Sequence, residues 1–123
     1  IDAFAAASIE RNARANRCRV TVVRRDVLDD EPPDADLILA GDCWYDAPLA
    51  ARVLPWLERA RDRGIDVLVG DPGRQYLPTD ALVELASYAV RTTTELEDLE
   101  LKQGRVYALR PALGRPGSPM SGG

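Results

Sequence analysis

Three places along the chain hold the side chains that can do chemistry. Asp42, Trp44, Tyr45 and Asp46 crowd together directly after an apolar run, Leu37-Ile38-Leu39-Ala40, and Gly41. Carboxylates beside a phenol and an indole can attract and orient a cationic group. A second cluster, Gly70-Asp71-Pro72-Gly73-Arg74, follows the apolar run Ile65 to Val69. Asp26 stands in a third place, after the β-branched run Cys18 to Val23 and Arg24-Arg25. The same residues also admit a purely structural account. Asp42 and Asp46 then serve as turn and cap residues while Trp44 and Tyr45 cover a sheet end. Asp26 forms a turn that pairs with Arg24 or Arg25, and Asp71 caps its own loop.

Composition removes several kinds of chemistry from the chain's own residues. It contains no histidine, which excludes a Ser-His-Asp or Cys-His nucleophile and histidine-ligated metal. Cys18 and Cys43 are the two cysteines. They are expected to be free thiols of a cytosolic, cytoplasmic protein, the alternative being a Cys18–Cys43 disulfide. Cys43 has no evident general base nearby, so packing is its expected role. The net charge of -4 argues against a nucleic-acid partner. No apolar run approaches the ~20 residues of a membrane span, so no membrane partner is expected. The 123 residues suffice for one modest domain.

The surrounding pattern supplies the elements that would position these groups. Residues 36–40 and 65–69 are short apolar runs bounded by turn formers, as in the buried strands of a parallel sheet. Between them, residues 46–63 read as a helix with Asp46 as cap and Pro48 in its first turn. Leu49, Val53, Trp56, Leu57 and Ala60 form its apolar face. Pro55 predicts a kink or a break, and Gly64 a stop. Upstream, residues 2–17 predict a helix capped by Asp2, and 18–23 predict a strand leading into an acidic loop at 28–35. Downstream, Thr79 predicts a helix over 80–88, followed by strands at 89–95 and 105–109 with a turn at Gln103-Gly104. Residues 111–123 predict a disordered tail. The order α-β-β-α-β-α-β-β implies an α/β fold, a parallel sheet with an antiparallel pair at one edge. In open α/β sheets ligands bind outside the carboxyl ends of the strands. Asp42 to Tyr45 and Asp71 to Arg74 fall at two such ends.

The ending β-α-β-α-β-β resembles the C-terminal part of the seven-stranded class I S-adenosylmethionine methyltransferase fold. Narrower still, GDCWYD followed by LPWL and then VLVGDPGR is similar to the electron transfer flavoprotein β-subunit lysine methyltransferase family and its bacterial relatives. IDAFAAASIERNARAN is similar to the segment after strand 2 in those enzymes and in ribosomal-protein methyltransferases. The resemblance covers residues 1–110. It implies a Rossmann-like class I methyltransferase sheet with a C-terminal antiparallel hairpin. It also implies S-adenosylmethionine as cofactor and transfer of its methyl group to a protein lysine side chain. The protein partner it suggests is the electron transfer flavoprotein β subunit.

Carried onto this chain, the resemblance makes Asp42 and Tyr45 the catalytic pair facing the acceptor. Asp26 would accept from the adenine amino group, the backbone amide of Val27 would meet the ring, and Trp44 would pack against adenine or the substrate stem. Alternative acceptors are a small amine or a ribosomal protein, and a third reading is a non-catalytic remnant. The family's first strand, its glycine-rich loop and most of its second strand have no counterpart here. In the family an acidic pair flanks an isoleucine after strand 2; its first acid, expected on the ribose, would lie before Ile1, and Asp2 matches the second. The chain is therefore expected to be marginally stable alone and to bind the donor poorly. Its segment 18–23 is expected to pair directly with 36–40 or to stay unpaired.

Overall fold

The computed structural model describes residues 3–93 and 99–111, with side chains for all of these except 92, 93 and 99–101. The chain divides into two compact units, Ile1–Asp30 and Glu31–Gly123. Among the described residues no helix is long and apolar enough to cross a membrane.

In the first unit, AFAAASIERNARA forms helix α1, Ala3–Ala15. Its alanines lose no side-chain entropy on becoming helical. The expected cap, Asp2, lies outside the described residues. At the other end Cys18 N donates to Ala13 O at 2.8 Å and Arg17 N to Arg14 O at 3.1 Å. These are the paired bonds of a Schellman cap, and they require a left-handed residue. Arg17 takes that position at φ 56°, where glycine is the usual occupant.

Cys18 to Val23 do not form the expected strand. Alternating β-branched residues supply propensity, but a strand also needs a neighbour to complete its backbone ladder. No described strand pairs with this segment, 36–40 included. The unit closes in a turn. Leu28 N donates to Asp26 Oδ1 at 2.9 Å, and Asp30 N to Val27 O at 3.0 Å.

The second unit is a mixed α/β arrangement around a four-stranded sheet, compatible with a methyltransferase-like fold. Strand β1, Leu37–Gly41, leads into helix α2, Ala47–Asp62, and back to strand β2, Asp66–Asp71. β1 and β2 pair in parallel, Leu37 opposite Asp66 and Gly41 opposite Gly70. Asp46 caps α2 by accepting from Leu49 N at 2.9 Å, and Pro48 occupies the first turn. Val53, Trp56, Leu57 and Ala60 are buried, as their spacing predicts. Pro55 lies inside the helix, which continues through it. Gly64, at φ 87°, ends it with a second Schellman cap, Ile65 N donating to Ala60 O at 3.1 Å and Gly64 N to Arg61 O at 2.9 Å.

The C-terminal half departs from its expected elements. Thr79–Ala81 is a single 3-10 turn, and the expected helix over 80–88 is instead part of strand β3, Leu82–Thr93. Leu82, Leu85 and Ala86 suit a helix by spacing alone. A 12-residue strand with a long antiparallel partner satisfies more backbone groups than two isolated helical turns. That partner is strand β4, Leu99–Leu109, which begins well before the expected residue 105. Gln103-Gly104 therefore lies within a strand rather than at a turn, Gly104 opposite Tyr88. The expected antiparallel hairpin is present, and the sheet order is β1-β2-β4-β3. The expected tail falls outside the described residues beyond 111. Val67, Val69 and Tyr107 join the buried face of α2 in the core. On the other face of β1, Leu39 is 71% exposed.

Candidate functional site

Because Gly41 and Gly70 are in register, the chain leaves β1 and reaches the end of β2 side by side. The alternation of β2 sends Val67, Val69 and Asp71 inward. Asp71 thus takes a core position, 4% exposed. Its Oδ2 accepts from Gly73 N at 2.7 Å and from Arg74 N at 2.6 Å. Amide bonds to an ionised carboxylate are stronger than neutral ones, and they lock this turn. Gly73 sits at φ 102°, a conformation open to glycine and strained for other residues. Oδ1 of Asp71 is buried with no hydrogen-bond partner among the described residues.

The locked turn aims Arg74 at Asp42, with Nη2 3.5 Å from Oδ1. Both side chains are largely solvated, so the pair contributes only about 0–1 kcal/mol. Its consequence is orientation. Asp42 follows β1 at φ 57°, a left-handed conformation that short polar residues tolerate better than most. Its side chain is 74% exposed. A second tie joins the two loops, Tyr76 N donating to Trp44 O at 3.2 Å. Tyr45 is 56% exposed, its phenol on the same loop as the Asp42 carboxylate.

Trp44 goes the other way. It is 0% exposed, and its Nε1 has no hydrogen-bond partner among the described residues. The expected packing of Trp44 against a ligand does not fit this placement, because protein already covers the ring. An aromatic residue between polar neighbours reads equally as a stacking surface or as a plug, and the sheet end requires a plug. Asp46 is the α2 cap, as the structural account holds. Cys18 and Cys43 are free thiols, as expected. Cys43 Sγ lies 3.3 Å from Gly41 O. Burial first, then the charges of Asp42 and Asp71, push its thiol up from its ordinary range. Such a thiol is a poor nucleophile, which agrees with a packing role.

In the first unit, Asp26 and Val27 share one tight turn. The bond from Leu28 N fixes the Asp26 carboxylate, and the carbonyl of Val27 accepts from Asp30. Arg25 forms an ion pair with Asp30. The acidic loop also holds a contact that sequence reasoning missed. Arg63, which follows the last turn of α2, donates to Pro32 O at 2.6 Å and pairs with Asp34 at 3.1 Å. Only their opposite charges signalled it. Likewise the Tyr76–Trp44 backbone bond had no sequence signal. The burial of Asp71 had one, its even spacing from Val67 and Val69. A hollow of about 300 Å³ lined by Leu37, Arg61, Ile65 and Leu68 opens at the amino ends of β1 and β2, away from this site.

The sequence is similar to those of several lysine methyltransferases. A Xenopus laevis protein, the electron transfer flavoprotein beta subunit lysine methyltransferase, is 36% identical over 80 residues, which are 61% of this chain and 32% of that relative. The Mus musculus protein of the same name is 30% identical over 117 residues, 90% of this chain and 46% of the relative. The Homo sapiens protein is 29% identical over 120 residues, with 90% and 45% covered. Over most of its length the chain is similar to these lysine methyltransferases. It spans about half, or less, of the length of the curated relatives it matches. No family model and no solved structure matches it. In this chain, then, the exposed acid and phenol stand at the carboxyl end of a parallel strand pair, and a buried acid holds the neighbouring loop.

Proposed function

We propose that this chain forms the acceptor side of an S-adenosylmethionine-dependent methyltransferase that modifies a protein lysine. Its sheet would be the Rossmann-like part that ends in the antiparallel hairpin. The proposed substrate is the electron transfer flavoprotein β subunit, the protein its relatives are named for. One observation carries the reading. In a homologue of lysine methyltransferases, an exposed carboxylate, Asp42, and an exposed phenol, Tyr45, lie at the carboxyl end of β1, where α/β sheets bind ligands.

The cofactor, when bound, supplies a methyl group on a positively charged sulfur. The residues that fit it here are Asp26 and Val27. A tight turn, with Leu28 N donating to Asp26 Oδ1, presents the two residues together. Trp44, being fully covered, is left out of the cofactor set. On the acceptor side Asp42 attracts a lysine ammonium and orients it. A carboxylate alone would also hold that amine in its charged form, which has no lone pair to attack with. Arg74 beside Asp42 offsets part of this charge, and the ammonium gives up its proton to water or another base before the amine attacks. Tyr45 can hydrogen-bond the amine or wall its aliphatic stem. Placing the acceptor at about 3–3.5 Å and in line is the main catalytic work in such a displacement.

The test is mass spectrometry of purified electron transfer flavoprotein, incubated with S-adenosylmethionine and the full-length gene product. The expected result is a mass gain on lysines of the β subunit. Methylation confined to small amines or ribosomal protein in a parallel lysate assay would overturn the substrate, and no methylation at all would overturn the activity.

A further inference from the structure

The outer strand of the described sheet is β3, and one of its backbone edges faces no described strand. Natural sheet edges are usually short or blocked by lysine, proline or an inward charge, because an open edge invites another strand. β3 runs for 12 residues, LVELASYAVRTT, with neither lysine nor proline. Val83, Leu85, Tyr88 and Val90 on it are all exposed.

We propose that β3 pairs antiparallel with β3 of a second copy of this chain, about a two-fold axis at Tyr88. A two-fold axis normal to a sheet opposes residues of the same face, since side chains alternate with period two. The β3–β4 register sets those faces. Ala86, Tyr88 and Val90 oppose Val106, Gly104 and Lys102, while Ser87, Ala89 and Arg91 oppose Arg105, Gln103 and Leu101. Centred on Tyr88, the self-pairing places Tyr88 opposite Tyr88, Ala86 opposite Val90, and Ser87 opposite Ala89. Every pair shares a face.

The irregularity between Glu84 and Ala86 then matters. It takes up Leu85 as an extra residue and returns Glu84, opposite Tyr107, to the face that carries Arg91. Glu84 of each copy thereby meets Arg91 of the other, twice per dimer. Opposite charges facing across strands stabilise pairing and like charges oppose it. Sliding the register by two residues separates them. Glu84 also lies 3.5 Å from Arg105 Nε of its own strand pair, so its carboxylate sits between two guanidinium groups. The self-complementary order of acid, apolar centre and base identifies the occupant as a second copy rather than an unrelated strand. This pairing does not depend on the methyl-transfer reading.

Sedimentation velocity of the chain should show a dimer. Arg91→Glu and Glu84→Arg should each sediment as monomers, since each sets like charges opposite one another at both ends. Mixed in equal amounts, the two variants should recover the dimer, because every facing pair is again opposite in sign. In a Cys18→Ser, Cys43→Ser background, Tyr88→Cys should oxidise to a covalent dimer. Cross-strand Cα atoms about 4.5–5.5 Å apart suit a disulfide. This variant changes no charge, so it decides the matter if a charge variant fails to fold. A monomeric wild type, charge variants as dimeric as wild type, or no Tyr88→Cys cross-link would each overturn the proposal.

Discussion

Asp71 and Cys43 show how the ends of β1 and β2 are held at the level of single groups. Asp71 is a buried acid whose one oxygen takes two amide protons. Asp71→Ala leaves those amides without their acceptor and should cost about 1–3 kcal/mol, read as a lowered urea midpoint. An unchanged midpoint would mean the turn holds without it. Cys43 is half-buried beside two carboxylates, so its thiolate forms only at higher pH than usual. Iodoacetamide at mildly alkaline pH should therefore label exposed Cys18 faster than Cys43, by peptide mass mapping. Asp42→Asn removes one of the opposing charges and should speed labelling of Cys43. Equal rates at the two cysteines in the wild type would contradict the burial described here.

The helices were legible because their ends are written in local residues. Asp46, Pro48 and Gly64 mark α2, and the spacing of Val53, Trp56, Leu57 and Ala60 marks its buried face. Asp46→Ala should lose about 1 kcal/mol of stability, and Leu57→Ala about 2–5 kcal/mol, both by chemical denaturation. Arg17 at its left-handed cap position gives a change of opposite sign. Arg17→Gly relieves the steric conflict and should stabilise α1 by about 1 kcal/mol, seen as slower amide exchange in Arg14 to Ala15. The strands were less legible. Leu82, Leu85 and Ala86 satisfy a helical period, and only the distant partner β4 makes them a strand. Cys18 to Val23 have the composition of a strand, and no described strand pairs with them. In both cases the deciding hydrogen bonds lie far along the sequence, where local pattern carries no information.

At the scale of the molecule, the parallel pair β1–β2 with its α2 connection, followed by the β3–β4 hairpin, was foreseeable from alternating elements and turn residues. That frame placed Asp42, Tyr45, Asp71 and Arg74 at strand ends before any geometry was known. Among them only the burial of Asp71 was foreseeable, from its even spacing to Val67 and Val69. Trp44 between Cys43 and Tyr45 has nothing in its neighbours to mark it as core. The central claim is that the Asp42 carboxylate and Tyr45 phenol handle the acceptor amine. Its most direct test is the steady-state rate of lysine methylation by the full-length gene product carrying Asp42→Asn or Tyr45→Phe. Asparagine also tolerates the left-handed conformation of residue 42, so the fold is kept while the charge is lost. Each variant should methylate about ten- to a hundredfold more slowly with an unchanged melting temperature. Wild-type rates in both variants would contradict the account.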